Sequence, residues 1–129
     1  LPQARELGIG IVAYSPLGNG FLTGKLKQYG DFSAGDIRRH FTRFQEKTFH
    51  QNLQLVTELK RIAKDKKATP SQIALAWVLA QGSDIVPIPG TKRKKYLKEN
   101  SGADAVILTQ KDLEKINQIA KPFFVKSEL

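Results

Sequence analysis

Cysteine and methionine are both absent from this 129-residue sequence, and it has only two histidines and one tryptophan. Without cysteine there is no disulfide framework and no cysteine-based metal site. Without methionine there is no initiator residue. The chain also opens in what reads as the tail of a helix, Pro2 to Leu7, closed by Gly8, so it is expected to be a piece of a longer protein. His40 and His50 lie in a stretch without periodicity. They make no recognisable metal pair and are read as neither ligands nor a general base. No apolar run is long enough to span a membrane and no signal-peptide pattern appears. A soluble, cytoplasmic protein without a membrane partner is therefore expected. Acidic residues are few: 12 Asp and Glu stand against 21 Lys and Arg, for a net charge of +9. That balance suits a polyanionic partner, nucleic acid or a phosphate-rich small molecule. No zinc-finger, RRM or comparable nucleic-acid motif is present.

What is present is organised around residues 84–100. Ile85, Val86 and Ile88 form a short apolar run bounded by Gly82-Ser83-Asp84 and Pro89-Gly90. This predicts a strand covered on both faces, with Pro87 where the strand donates nothing. Gly90 permits a turn and close backbone approach, and Thr91 is a favoured helix N-cap. Lys92, Arg93, Lys94 and Lys95 follow. Cations at a helix N-terminus oppose the helix dipole, but they suit a phosphate bound at that end. The alternative is a solvated basic helix.

Upstream, Gly8 to Tyr14 reads as a second buried strand, stopped by Ser15-Pro16-Leu17-Gly18-Asn19-Gly20. A strand followed by a Gly-rich turn can present N–H groups to phosphate oxygens, and it is equally an ordinary loop. From Asn19 to about Phe49 no period emerges, and a stretch of that length is often functional. It reads as a flap. Its Asp36 to Phe44 segment either clamps a nucleotide or single strand, or is pinned by Phe41 and Phe44 into a shallow core.

Residues 52–66 predict an amphipathic helix with Leu55, Leu59 and Ile62 on one stripe. Thr69-Pro70-Ser71-Gln72 is a helix start with a capping box. It leads into an apolar helix in which Trp77 is read as core, ended by Gly82. A helix over 94–101 follows, then a short extended piece at 106–108. Thr109 and Asp112 cap a last helix with a Leu113, Ile116, Ile119, Ala120 stripe, which Pro122 is expected to stop. Phe123, Phe124 and Val125 are expected to pack down before a charged tail.

Strands alternating with helices imply parallel strands joined by crossovers. Two strands do not make a stable sheet alone. In a (β/α)8 TIM barrel, the loops after the seventh and eighth strands and a short helix N-terminus form a phosphate site. The elements match that arrangement. The fold class expected is therefore α/β, the C-terminal part of a TIM barrel, with two parallel strands and flanking helices.

Several ordered motifs carry a resemblance. Val12 to Lys25, Phe44-Gln45-Glu46 with Asn52, Thr69 to Trp77, and Ile88 to Asn100 together resemble the C-terminal portion of the aldo-keto reductases, from the seventh barrel strand to the C-terminus. The branch is the one that includes bacterial, fungal and plant reductases and potassium-channel beta subunits. The resemblance implies NADPH as cofactor. It implies Tyr14 stacking on the nicotinamide, with Ser15, Leu17, Gly18, Gly20 and nearby Lys25 at the pyrophosphate. It further implies Gly90 and Thr91 at the adenosine phosphates, Lys92 and Arg93 at the 2′-phosphate, and Glu99 and Asn100 at the adenine edge. Many members carry an arginine where this chain has Tyr96, which can stack but brings no charge. The family's proton-donating tyrosine, with its lysine, aspartate and histidine, matches nothing in this sequence. No catalytic residue is assigned, and the isolated chain is expected to be inactive towards the small carbonyl substrate. The alternative within the fold is a non-catalytic NADPH-binding regulatory subunit of the channel-beta kind. A basic nucleic-acid-binding protein is the third reading and nucleic acid is not the expected partner. Self-association through open sheet edges is a further expectation.

Overall fold

The structure, a computed structural model, describes residues 1–124, with side chains at all of these but residues 47 and 122–124. Two strands form its centre. β1 (Ile11–Tyr14) runs parallel to β2 (Ile85–Ile88), in register from Ile11 opposite Ile85 to Tyr14 opposite Ile88. Parallel strands require a crossover. Here it contains α2 (Glu46–Asp65) and α3 (Pro70–Leu79). Before β1 lies α1 (Pro2–Glu6), and after β2 come α4 (Lys94–Ser101) and α5 (Gln110–Phe124). Pro87 pairs opposite Ala13, on a strand with one neighbour among the described residues, where a missing N–H is tolerated.

The expectation that both strands are covered on two faces is corrected. Accessibility alternates along each strand. Ile11, Ala13, Ile85 and Pro87 turn toward the helices, while Val12, Tyr14, Val86 and Ile88 are exposed. A short apolar run signals burial without saying what does the burying, and the described helices lie on one side of the sheet. In a complete barrel the other face points inward.

α2 packs on α3 and on α5, and α3 also meets β2 and α4. The core between these helices comprises Leu55, Leu59, Ile62, Ala63, Ile73, Ala74, Ile116 and Ala120. The expected stripes are thus the buried ones. α3 starts on its capping box: Thr69 Oγ accepts from Gln72 N–H at 3.2 Å and Gln72 Oε1 accepts from Thr69 N–H at 2.9 Å. Thr109 and Asp112 form the same reciprocal pair ahead of α5. Residues 106–108, expected to be extended, belong to neither a strand nor a helix, and Val106 and Leu108 pack against the core. Trp77 is half-buried there, and its indole N–H donates to Asn117 at 2.7 Å.

Three boundaries differ from expectation. α2 begins at Glu46, ahead of Asn52, because Phe49 and Val56 face a second core that the Leu55 stripe does not include. α5 continues through Pro122 to Phe124. The expected packing of Phe123, Phe124 and Val125 concerns side chains outside the described residues. Thr91 does not cap α4: the N-cap position is Arg93, without a side-chain bond. The Thr91 hydroxyl instead accepts from Arg93 N–H at 3.3 Å, a local Ser/Thr turn that competes with capping.

The second core organises the aperiodic stretch. Short 3-10 turns occupy Gly18–Thr23, Tyr29–Asp31, Ile37–His40 and Thr42–Phe44. Phe21, Phe32, Phe44 and Phe49 pack with Val56 beneath them. Phe21 meets Phe49 edge-on at 5.3 Å and Phe32 meets Phe44 at 5.1 Å, the arrangement that ring quadrupoles favour. The pinned-loop alternative is therefore correct for Phe44, whereas Phe41 lies at the rim and is exposed. Among the described residues no helix is long and apolar enough to cross a membrane. None of their His, Asp and Glu side chains cluster to hold a metal.

Candidate functional site

The C-terminal ends of β1 and β2 open on the same edge, because the strands are parallel and in register. After β1 the chain makes a tight turn in which Ser15, Gly18, Asn19 and Gly20 all have left-handed φ values, from +48° to +91°. Glycine takes such angles without strain and asparagine tolerates them, whereas Ser15 does not and must be held. The holding contacts are visible. Ser15 Oγ donates to Asn19 Oδ1 at 3.2 Å, and the Asn19 carbonyl accepts from Arg38 Nη1 at 3.2 Å. Arg38 is fixed by a forked ion pair with Asp36 and lies over the Phe32 ring. Arg38 hydrogen bonds hold the Asp36 carboxyl down at about 2. The flap thus braces the turn. Within the turn the Gly18 and Gly20 N–H groups donate to the Ser15 and Leu17 carbonyls at 2.9 and 3.1 Å.

The opposite wall comes from the segment after β2 and from α4. Glu99 is anchored twice: its Oε1 accepts from the Thr69 hydroxyl at 3.1 Å, and its backbone carbonyl accepts from Gln72 Nε2 at 2.9 Å. The capping box of α3 therefore also fixes the far end of α4. Close approach is needed here, since a Cβ at Gly102 would lie 2.8 Å from Gln72 Nε2. Tyr96 carries two cations on its ring, Lys25 Nζ at 3.7 Å and the Arg93 guanidinium at 5.9 Å from the centroid. A hydrogen bond from Lys25, reinforced by its charge, draws the Tyr96 phenol below its ordinary value.

Between these walls is a cavity of about 640 Å³. Eleven residues expected at a binding site line it: Ser15, Leu17, Gly20, Lys25, Gly90, Thr91, Lys92, Arg93, Tyr96, Glu99 and Asn100. Tyr14 and Gly18 instead line a neighbouring cavity of about 1050 Å³, whose wall Ser15 shares. Tyr14 ends β1 and is 82% exposed as a residue, so its side chain is open to a ligand. The smaller cavity holds three cations, Lys25, Lys92 and Arg93, against one carboxylate, Glu99. Among the described residues none of the three cations is in a salt bridge. Unneutralised cations facing a cavity beside a Gly-rich turn are chemistry for a phosphate-bearing ligand.

Sequence reasoning missed the supports. Arg38 and Asp36 were visible only as part of a basic, aromatic segment, although two opposite charges two residues apart are a signal for a local fork. Thr69 and Gln72 were legible as a cap, but their second role at Glu99 needs the tertiary fold. His40 and His50 are both exposed, and His40 reaches only the rim of the larger cavity.

A family model described as "Aldo/keto reductase family" matches residues 1–121. Aldo-keto reductase yakc of Schizosaccharomyces pombe, whose name carries NADP(+), is 53% identical over 118 residues, covering 92% of this chain and 35% of the relative. Aldo-keto reductase str7 of Strobilurus tenacellus is 47% identical over 121 residues, covering 94% and 36%. Among solved structures, a glycerol dehydrogenase from Gluconobacter oxydans superposes with TM-score 0.85 at 24% identity, over 95% of this chain and 37% of its own. A thermostable aldo-keto reductase solved with epalrestat gives TM-score 0.63 at 26% identity, over 92% and 32%. The chain thus spans about a third of the length of the curated relatives it matches. Its fold is a portion of the aldo-keto reductase TIM barrel, two parallel strands with their helices.

Proposed function

We propose, from the premise that this chain belongs to the aldo/keto reductase family, that it is the cofactor-binding C-terminal part of an NADPH-dependent carbonyl reductase. The parent protein reduces aldehydes or ketones to alcohols. The observation that carries this reading is the convergence of two strand-end loops and α4 on one cavity lined by Lys25, Lys92 and Arg93, none of them in a salt bridge among the described residues. The residues present fit the dinucleotide along its length. Tyr14 offers an exposed aromatic side chain for the nicotinamide. The Ser15–Gly20 turn offers close backbone approach for the pyrophosphate. Lys92 and Arg93 offer charge for the 2′-phosphate, and Glu99, held by Thr69, offers an acceptor for the adenine amino group.

When bound, the cofactor supplies the hydride that reduces the carbonyl carbon. This chain's own part is binding and orientation. Tyr14 would orient the nicotinamide ring, and the turn, held by Arg38 on the Asn19 carbonyl, would hold the phosphates together with the cations. Proton donation is assigned to no residue of this chain. The expected result is therefore saturable NADPH binding by these residues, with no NADPH oxidation on adding a simple aldehyde. Turnover above background by the chain alone would overturn the division of labour, and failure of a folded sample to bind NADPH would overturn the site.

A further inference from the structure

Asn19 is the one asparagine of this chain followed by glycine, and the other three, Asn52, Asn100 and Asn117, lie inside α2, α4 and α5. Asparagine side-chain amides are chemically labile. A following glycine, with no Cβ, lets its own backbone nitrogen reach that amide. Asn19 and Gly20 are half-buried and both line the smaller cavity. Three contacts hold them. The Gly20 N–H donates to the Leu17 carbonyl at 3.1 Å. The Asn19 carbonyl, on the same peptide unit, accepts from Arg38 Nη1 at 3.2 Å. Ser15 Oγ donates to Asn19 Oδ1 at 3.2 Å. The peptide between residues 19 and 20 is thus pinned on both sides, with its nitrogen engaged away from the Asn19 side chain. The helical asparagines need no such device, because the helix ladder engages the nitrogen that follows each of them.

We propose that Asn19-Gly20 is a site of spontaneous deamidation that the Arg38 brace holds off in the folded protein, and that its product opposes anionic ligands in the smaller cavity. In the reaction the Gly20 nitrogen gives its proton to solvent and attacks Asn19 Cγ. The bond from Cγ to the side-chain nitrogen breaks, and that nitrogen takes up a proton and leaves as ammonia. A five-membered imide remains. Water adds at either of its carbonyls and opens it to aspartate or isoaspartate, with no oxidant or reductant involved. To bring nitrogen and Cγ together, the peptide must turn about Asn19, which breaks its bonds to Arg38 and Leu17. Arg38 is itself held by Asp36 at 2.6 Å and lies 4.9 Å from the Phe32 ring centroid, so this opening works against a whole corner of the flap. The product places a new carboxylate beside Lys25, Lys92 and Arg93, and isoaspartate also adds a methylene to the main chain of the turn. The deamidation stands on the turn alone, whereas its consequence for a dinucleotide rests on the cofactor reading above.

Peptide mapping by mass spectrometry after storage at mildly alkaline pH reads the conversion, with aspartate and isoaspartate resolved at position 19. The unsubstituted protein, Arg38→Met and Asp36→Asn are compared, each folded and each in urea. The folded protein is expected to convert at Asn19 and not at Asn52, Asn100 or Asn117. Arg38→Met is expected to convert roughly 10-fold faster or more, the opening factor for losing one hydrogen bond from a charged group. Asp36→Asn, which loosens the fork, is expected to fall between the two. In urea all three are expected to share one rate, above that of the folded protein. Conversion of the helical asparagines as fast as Asn19 would overturn the site. Equal rates for folded Arg38→Met and the folded unsubstituted protein would overturn the protective brace. If Arg38→Met does not fold, Asp36→Asn and the comparison of folded with urea-treated protein decide the same point. Calorimetry with NADPH on Asn19→Asp reads the consequence, expected as a weakening of roughly 10-fold from the added like charge. Unchanged affinity would overturn that consequence. If the unsubstituted protein binds no NADPH, the cofactor reading fails, while the conversion rates still decide the deamidation.

Discussion

Thr69 stands at the junction between the buried helix α3 and the cavity wall, and its replacement separates two roles that the fold has combined. Its hydroxyl accepts from Gln72 N–H at 3.2 Å and donates to Glu99 Oε1 at 3.1 Å. Thr69→Ala removes both. Loss of an N-cap costs about 1 kcal/mol. Loss of the bond to the carboxylate adds about 0.5–1.5 kcal/mol, so the total is roughly 2 kcal/mol. With a urea slope of about 2 kcal/mol per molar, that is a fall in midpoint of about 1 M. Thr69→Ser keeps the oxygen and both bonds, and is expected to stay within about 0.5 kcal/mol of the unsubstituted protein. Pairing Thr69→Ala with Glu99→Ala in a double-mutant cycle is expected to give coupling of about 0.5 kcal/mol or more. Urea unfolding followed by circular dichroism measures all of these proteins. Equal losses for Thr69→Ser and Thr69→Ala, or strict additivity with Glu99→Ala, would refute the shared role of this hydroxyl.

Other consequences are equally open to measurement. Phe44 is fully buried among Phe21, Phe32 and Phe49, so Phe44→Ala is expected to cost about 3–5 kcal/mol in urea unfolding; a loss below about 1 kcal/mol would show that the flap core is not cooperative with the rest. Gly102→Ala is expected to displace Gln72 from the Glu99 carbonyl and weaken dinucleotide binding along with stability, whereas a change in neither would contradict the close approach seen there. Burial raises the Asp112 carboxyl, but hydrogen bonds from Lys66 and from the Thr109 hydroxyl and N–H outweigh it and hold it at about 2. Because the folded value lies below the unfolded one, this stabilisation is complete above about pH 4 and is lost as pH falls towards about 2, at a scale of roughly 1–2 kcal/mol. Asp112→Asn is expected to flatten that acid limb; an unchanged limb would rule out Asp112 as its source.

The sequence made some levels of this structure legible and not others, for physical reasons. The capping boxes of α3 and α5 follow from local rules: a hydroxyl three residues ahead of a Gln or Asp satisfies free N–H groups wherever it occurs. The amphipathic stripes of α2 and α5 could be read because burial there repeats with the helical period. The flap could not, because Phe21, Phe32, Phe44 and Phe49 meet through tertiary folding at spacings that fit no period. Gly18 and Gly20 announced a turn, whereas the brace that holds it, Arg38 on the Asn19 carbonyl, joins residues from different segments. Lys25 and Tyr96 were each visible as candidates, but their contact spans the two strand ends and emerges only once β1 and β2 are paired. The open face of the sheet was read as buried because composition records apolar residues without recording what covers them.

The most direct test of the cofactor site is a calorimetric titration of this chain with NADPH and, under identical conditions, with NADH. Saturable binding of both is expected, with NADPH favoured by about tenfold or more, the worth of one charge-assisted phosphate contact, and a preference that shrinks as salt is added. Equal affinity for the two dinucleotides, or no binding by a folded sample, would contradict it.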